Sequence, residues 1–186
     1  LAPPTGWPAT AMPGATKTVT GTIKVKNLGA QQVVRLVGMQ ASALNNAAGM
    51  GFSALLLTQN AGHVHVRDSV FTGGRGAYGE QSGSPGGHGI WAIQSDRVVI
   101  VECTLVGGRG GWGGGMFVGT GGPGGNGLQT NDSRASIHAS DLTGGVGGDG
   151  HAYGGRGGHG YGAYGPGPFA SGSTFQGGQG GEADPS

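Results

Sequence analysis

Charge is scarce in this chain. Its 186 residues include ten Lys and Arg and nine Asp and Glu, 10% in all, where about 25% is usual. The net charge of +1 leaves no field to steer the protein to nucleic acid or to an anionic lipid surface. Charge-driven disorder is equally ill suited to this composition. One cysteine, Cys103, rules out an intrachain disulfide. No apolar run approaches the ~18 residues of a membrane-spanning helix. Amphipathic helices are missing too, because no 12-residue window keeps an i, i+3, i+4, i+7 apolar pattern free of glycine. The Ala-rich stretch 40–48 offers at most a turn or two. Nine prolines and glycines without a strict three-residue period exclude collagen.

What the chain has instead is glycine, 47 residues. It also repeats. Phe71-Thr72-Gly73-Gly74, Leu105-Val106-Gly107-Gly108, Leu142-Thr143-Gly144-Gly145 and Phe175-Gln176-Gly177-Gly178 recur at spacings of 34, 37 and 33 residues. Upstream, Val64, Val66, Ser69 and Phe71 align with Val98, Ile100, Cys103 and Leu105, and with Ala135, Ile137, Ser140 and Leu142. An earlier copy, Val34, Leu36, Met39 and Ala41, lacks the glycine arm. Steps of two are strand alternation. The step from +2 to +5 breaks that alternation by one residue and predicts a bend near Asp68, Glu102 and Ala139. A second strand set begins at Ile23, Leu56, Ile90 and Leu128, each leading to a polar turn: Asn27, Gln59-Asn60, Gln94-Ser95-Asp96 and Asn131-Asp132-Ser133.

One such repeat cannot bury its apolar residues, whereas stacked repeats can. The expected fold is therefore all-β, a right-handed parallel β-helix of four to five coils. The phrase Arg97-Val98-Val99-Ile100-Val101-Glu102-Cys103-Thr104-Leu105 resembles the repeating phrase of the pectate-lyase-like β-helix superfamily, as does the segment 62–71. The resemblance spans roughly residues 18–178 and implies architecture, not activity, since that fold hosts lyases, hydrolases, adhesins and phage tailspikes. No dense Asp cluster with an adjacent Arg/Lys set is present, so no catalytic residue, metal ligand or cofactor site is carried over.

The domain reading is a Pro-rich segment or cap over residues 1–17 and a single solenoid over 18–186. Glycine-rich insertions occupy 73–89, 107–127 and 144–167, with 8 glycines in 17 residues, 13 in 21 and 13 in 24. All leave the coil at one point, so the expectation is arms that stack on one side in an extended polyproline-II-like conformation. Tyr78, Trp112, Phe117, Tyr153, Tyr161 and Tyr164 interrupt them, with Arg75, Arg109 and Arg156 close by. These nine are the candidate contact residues for a ligand or partner, by ring stacking and cation–π contact. The competing role is to anchor the arms to one another.

Asp68 and Glu102 occupy equivalent positions in adjacent coils and form a candidate carboxylate pair. His63 and His65 flank Val64 and point outward together, which suits a solvated strand face better than a metal site. An ice-binding face needs regular Thr ranks; Thr72 and Thr143 align, but Val106 and Gln176 interrupt. The start, Leu1-Ala2-Pro3-Pro4, fits a processed form or a piece of a longer protein. The functional expectation is a structural or adhesive protein, extracellular or on a cell surface or virion. Its expected partner is itself, by head-to-tail filament growth, or a fibre or surface protein. The alternative is a carbohydrate-active enzyme or glycan-binding module, including a phage receptor-binding tip.

Overall fold

A computed structural model of the chain describes residues 17–115 and 118–183. Strand β1 (Lys17–Thr20) leads into five coils of three strands each. Coil 1 holds β2 (Ile23–Lys26), β3 (Val33–Val37) and β4 (Met39–Ser42). Coil 2 holds β5 (Leu55–Asn60), β6 (His63–Arg67) and β7 (Val70–Thr72). Coil 3 holds β8 (Ile90–Ser95), β9 (Val98–Val101) and β10 (Thr104–Val106). Coil 4 holds β11 (Leu128–Asn131), β12 (Ala135–His138) and β13 (Asp141–Thr143). Coil 5 holds β14 (Tyr161–Tyr164), β15 (Phe169–Ser171) and β16 (Thr174–Gln176).

Every strand pairs in parallel with its equivalent one coil away, giving three sheets. The first sheet is β1-β4-β7-β10-β13-β16, the second β14-β11-β8-β5-β2 and the third β15-β12-β9-β6-β3. The described residues contain no helix, and β4 takes Gln40–Ser42 from the Ala-rich stretch.

The ladders read from the sequence hold. Val34, Val64, Val98 and Ala135 stack, as do Leu36, Val66, Ile100 and Ile137. Val19, Ala41, Phe71, Leu105, Leu142 and Phe175 form the third. In the second sheet the partner of Ile23 and Ile90 is Leu55, not Leu56. Leu55 and Leu57 are fully buried, and Leu56 faces outward opposite Trp91.

Both corners of each coil turn on one residue in the left-handed region. Asn27, Gln59, Gln94, Asp132 and Gly165 form one corner column; Gly38, Asp68, Glu102, Ala139 and Gly172 form the other. A single left-handed residue reverses the pleat, which is the one-residue break in alternation seen in the sequence.

A small polar residue or cysteine follows most corners and turns inward, whereas Leu28, Met39 and Pro166 follow Asn27, Gly38 and Gly165. Ser69, Cys103, Ser140 and Ser173 each donate to the carbonyl two residues back. Ser140 Oγ accepts the Cys103 N–H at 3.0 Å, and Ser173 Oγ accepts that of Ser140 at 3.1 Å. At the other corner Ser133 Oγ accepts from Ser95 N–H at 2.9 Å, and Asn60 Nδ2 donates to Ser95 Oγ at 3.2 Å. Two buried polar columns thus satisfy the backbone groups that the corners strip from the sheets. Cys103 belongs to this series; burial pushes its thiol up to about 11, so it is an inert structural member.

Candidate functional site

The arms form an ordered slab. Each has an outgoing limb that continues directly from the first sheet and a return limb that leads into the second. Hydrogen bonds link limbs in alternation: Gly87 N–H donates to Gly74, Gly108 to Gly87, Gly125 to Gly108, Gly145 to Gly125, Gly158 to Gly145 and Gly178 to Gly158, all at 2.7–2.8 Å. A second line runs three residues further out, through Gly111, Gly122, Gly148, Gly155 and Gly181. Limbs of the same direction are joined too, as in Gly107 N–H to Thr143 and Gly124 N–H to Arg156. The three-residue step is the repeat of a polyproline-II-type helix.

Steric need explains the glycines. A Cβ at Gly108 would overlap the Gly74 carbonyl oxygen, and one at Gly125 the Gly87 oxygen. Two of every three residues are therefore buried backbone and the third points out. Residues 43–54, which carry no Gly-Gly start, occupy the same place as a first arm: Asn46 N–H reaches Arg75 O, and Gly74 N–H reaches Phe52 O. The first copy, expected to lack the glycine arm, thus carries an arm of another composition, with only Gly49 and Gly51.

The outward third residues make rows. On the outgoing face one row is Arg75, Arg109, Val146 and Gln179, and the next is Tyr78, Trp112, Asp149 and Glu182. Arg109 pairs with Asp149. The Glu182 backbone N–H is the main cause holding the Asp149 carboxyl below its usual range; Arg109 and Arg75 add to it and burial opposes. Tyr78 and Trp112 lie 5.5 Å apart centroid to centroid, and His151 stands 5.6 Å beyond Trp112, with interplanar angles of 45° and 44°. The rings lean on one another along the coil axis, so they brace the arm tips while staying 55% exposed at Tyr78 and 36% at Trp112.

The nine candidate residues therefore divide. Tyr78, Trp112, Arg75 and Arg109 share one face. Arg156 and Tyr153 project from return limbs, on the opposite face. Tyr161 and Tyr164 do not belong to an arm at all: they lie in β14, so the fourth arm ends at residue 160. Tyr161 closes the second-sheet core ladder, sharing a 2.8 Å hydrogen bond with Thr130 and an edge contact with Phe175. Phe117 lies outside the described residues, as do residues 1–16 of the candidate cap at 1–17, whose last residue, Lys17, opens β1. Asp149 and His151 were missed. Asp149 was legible as the third residue of a Gly-Gly-Asp triplet; His151 sits in the tip turn, where the triplet pattern gives no signal.

Asp68 and Glu102 do meet. Arg67 bridges them, with Nε 3.1 Å from Asp68 Oδ2 and Nη2 2.9 Å from Glu102 Oε2. Burial, then hydrogen bonding to Glu102, raises the Asp68 carboxyl, and Arg67 opposes this. The pair sits on an open corner. His63 Nε2 accepts a hydrogen bond from Arg97 Nη1 at 3.1 Å. Burial, with His63 and Arg35 adding, lowers His65. No group of three His, Cys, Asp or Glu side chains able to hold a metal occurs among the described residues. Nor do the described residues include a helix long and apolar enough to cross a membrane.

The outer face of the first sheet carries two ranks: Thr18, Gln40, Val70, Thr104, Asp141 and Thr174, then Thr20, Ser42, Thr72, Val106, Thr143 and Gln176. Thr occupies half of these twelve positions, and Asp141 and the glutamines break its regularity. The chain matches no family model, no curated protein and no solved structure.

Proposed function

We propose that this chain is a structural or adhesive β-solenoid protein acting outside the cell or on a cell or virion surface, with the outgoing-limb face as its contact surface. The observation that carries this is the slab: a hydrogen-bonded array of limbs whose outward residues stand in rows at the coil repeat and run on from the first sheet. Repeating rows of outward side chains suit an extended, regular partner surface better than a small ligand. Tyr78 and Trp112 supply apolar area, and Arg75 and Arg109 supply donors to carboxylate or hydroxyl groups. The test uses protein-coated beads on a panel of solid polysaccharides and protein-coated surfaces. Retention is expected on at least one surface and is expected to drop at least tenfold in Tyr78→Ser/Trp112→Ser. Equal retention of the variant on every surface would remove this reading.

A second reading, a carbohydrate-active enzyme or glycan-binding module related to the pectate-lyase-like proteins, is favoured by the Asp68–Glu102 contact. Its test is turnover of acidic polysaccharides by wild type and by Asp68→Asn/Glu102→Gln. Turnover lost in the variant supports it; no turnover by wild type removes the enzymatic form.

A further inference from the structure

The two faces of the slab dispose of their outermost backbone N–H groups differently. In a helix of three residues per turn, successive N–H groups point in three directions. Neighbouring limbs take two of them, as in Gly108 N–H to Gly87 and Gly110 N–H to Val146. The third belongs to the outward residue. In the three glycine-rich arms, the two return-face rows nearest the solenoid lack this donor or spend it. Pro85 and Pro123 have no N–H. His88, Asn126 and His159 donate theirs to Ser53 Oγ at 3.4 Å, His88 Nδ1 at 2.9 Å and Asn126 Oδ1 at 2.8 Å. The sixth residue, Arg156, donates to no described residue.

On the outgoing face of the same arms the balance is reversed. Arg75 has its N–H taken, by Asn45 Oδ1 at 2.9 Å. Those of Tyr78, Arg109, Trp112, Val146 and Asp149 donate to no described residue. They stand in two lines along the coil axis, one strand spacing of about 4.8 Å per step. The rings of Tyr78, Trp112 and His151 run in the same direction. Charge cancels in these rows: Arg75 and Arg109 stand against Asp149 and Glu182, and Arg109 is paired with Asp149.

A partner for this face must accept hydrogen bonds in series, lie on aromatic rings and carry no net charge. An acidic polymer would meet Asp149 and Glu182, and a basic one Arg75 and Arg109; like charges brought together cost affinity. An extended peptide presents carbonyls along one edge only every 6.4–6.8 Å or so, out of step with the donors. A pyranose chain linked through opposite ring carbons advances by close to one coil per unit. Each unit carries hydroxyl oxygens that accept and a C–H face that lies on an aromatic ring. We infer that the outgoing-limb face binds an uncharged, extended pyranose polysaccharide whose chain runs along the coil axis, a partner class that rests on this face being the contact surface. Tyr78 and Trp112 carry its rings, and the N–H groups of Trp112, Val146 and Asp149 donate to its hydroxyl oxygens.

The test is binding of the full chain, by depletion from solution, to particles of cellulose, β-1,4-mannan, carboxymethyl cellulose and diethylaminoethyl cellulose, and to albumin-coated particles. Wild type is expected to bind at least one of the two uncharged polysaccharides, with less than about a twofold change in high salt, since screening acts on charges. Val146→Pro removes one donor at a limb position where Pro85 and Pro123 already stand. It is expected to keep its unfolding midpoint and to bind about threefold to tenfold more weakly, the worth of one hydrogen bond. Val146→Ala, which keeps the N–H, is expected to bind like wild type. Binding to the charged celluloses or albumin alone, binding abolished by salt, or a Val146→Pro variant that binds like wild type would each overturn the inference and leave the contact face standing. Absence of binding to both uncharged polysaccharides also overturns it, and retention of the coated beads on other surfaces then decides separately whether the contact face survives.

Discussion

The solenoid and the slab share coils, direction and spacing, yet they are held by opposite means. Within the solenoid, ladders such as Val64–Val98–Ala135 exclude water with side chains, and hydrogen bonds lie around that core. The slab interior holds almost no side chains; backbone N–H and C=O groups meet across glycines in close contact. Isolated glycine chains lose too much entropy to order themselves. Here each limb is anchored at both ends by strands already locked in register. The solenoid thus meets the entropy of closure, and the slab adds hydrogen bonds without a hydrophobic core of its own.

Four measurements probe the contrast, from the largest effect to the smallest. Gly108→Val is expected to cost more than about 4 kcal/mol in urea unfolding, because neither facing carbonyl can retreat. A cost below about 1 kcal/mol would mean that the slab is loosely packed. Phe71→Ala, in the core of the solenoid, is expected to cost about 3–5 kcal/mol by cavity formation. A smaller loss than for Gly108→Val would place the tighter packing in the slab, against the usual ranking of core over arm.

The third concerns pH. His88 Nδ1 accepts the Asn126 N–H at 2.9 Å, and burial lowers the ring to about 4 from its ordinary 6.5. Its stabilising contribution is complete above pH 6.5, where the ring is neutral in both states. Below that the unfolded chain takes up the proton first, so up to about 3 kcal/mol is lost as pH falls to about 4. His88→Asn, which keeps an acceptor as Asn126 does in the next coil, should flatten this slope; an unchanged slope would assign it to other groups. Fourth, Ser140→Ala leaves the Cys103 N–H without its acceptor and is expected to cost about 1–2 kcal/mol. Ser140→Cys should recover part of it, since Cys103 shows that a thiol fits this column.

Much of the solenoid was legible because strand alternation and corner chemistry leave strong marks. The step to +5 located Asp68, Glu102 and Ala139, all left-handed in the structure. The one-residue slip at Leu56 arose in Leu55-Leu56-Leu57, where three leucines carry no alternation. Tyr161-Gly162-Ala163-Tyr164 was read as arm because its glycine-rich flanks masked a short strand. The arm at 43–54 was hidden for the converse reason: it fills a limb position with few glycines, and among the described residues no limb lies on its earlier side. Only the three-dimensional array could divide the candidate residues into two faces, since Arg75 and Arg156 occupy similar triplets but travel on limbs of opposite direction.

The triplet rule also has a mutational consequence. Inside a limb two positions of three admit little but glycine, whereas the third touches no neighbouring backbone and is open to most side chains. Residue identity along the outgoing rows can therefore drift one position at a time without repacking anything beneath. The slab resembles a pegboard: an unchanging lattice of holes, with a pattern of pegs that can be exchanged to suit a different counterpart.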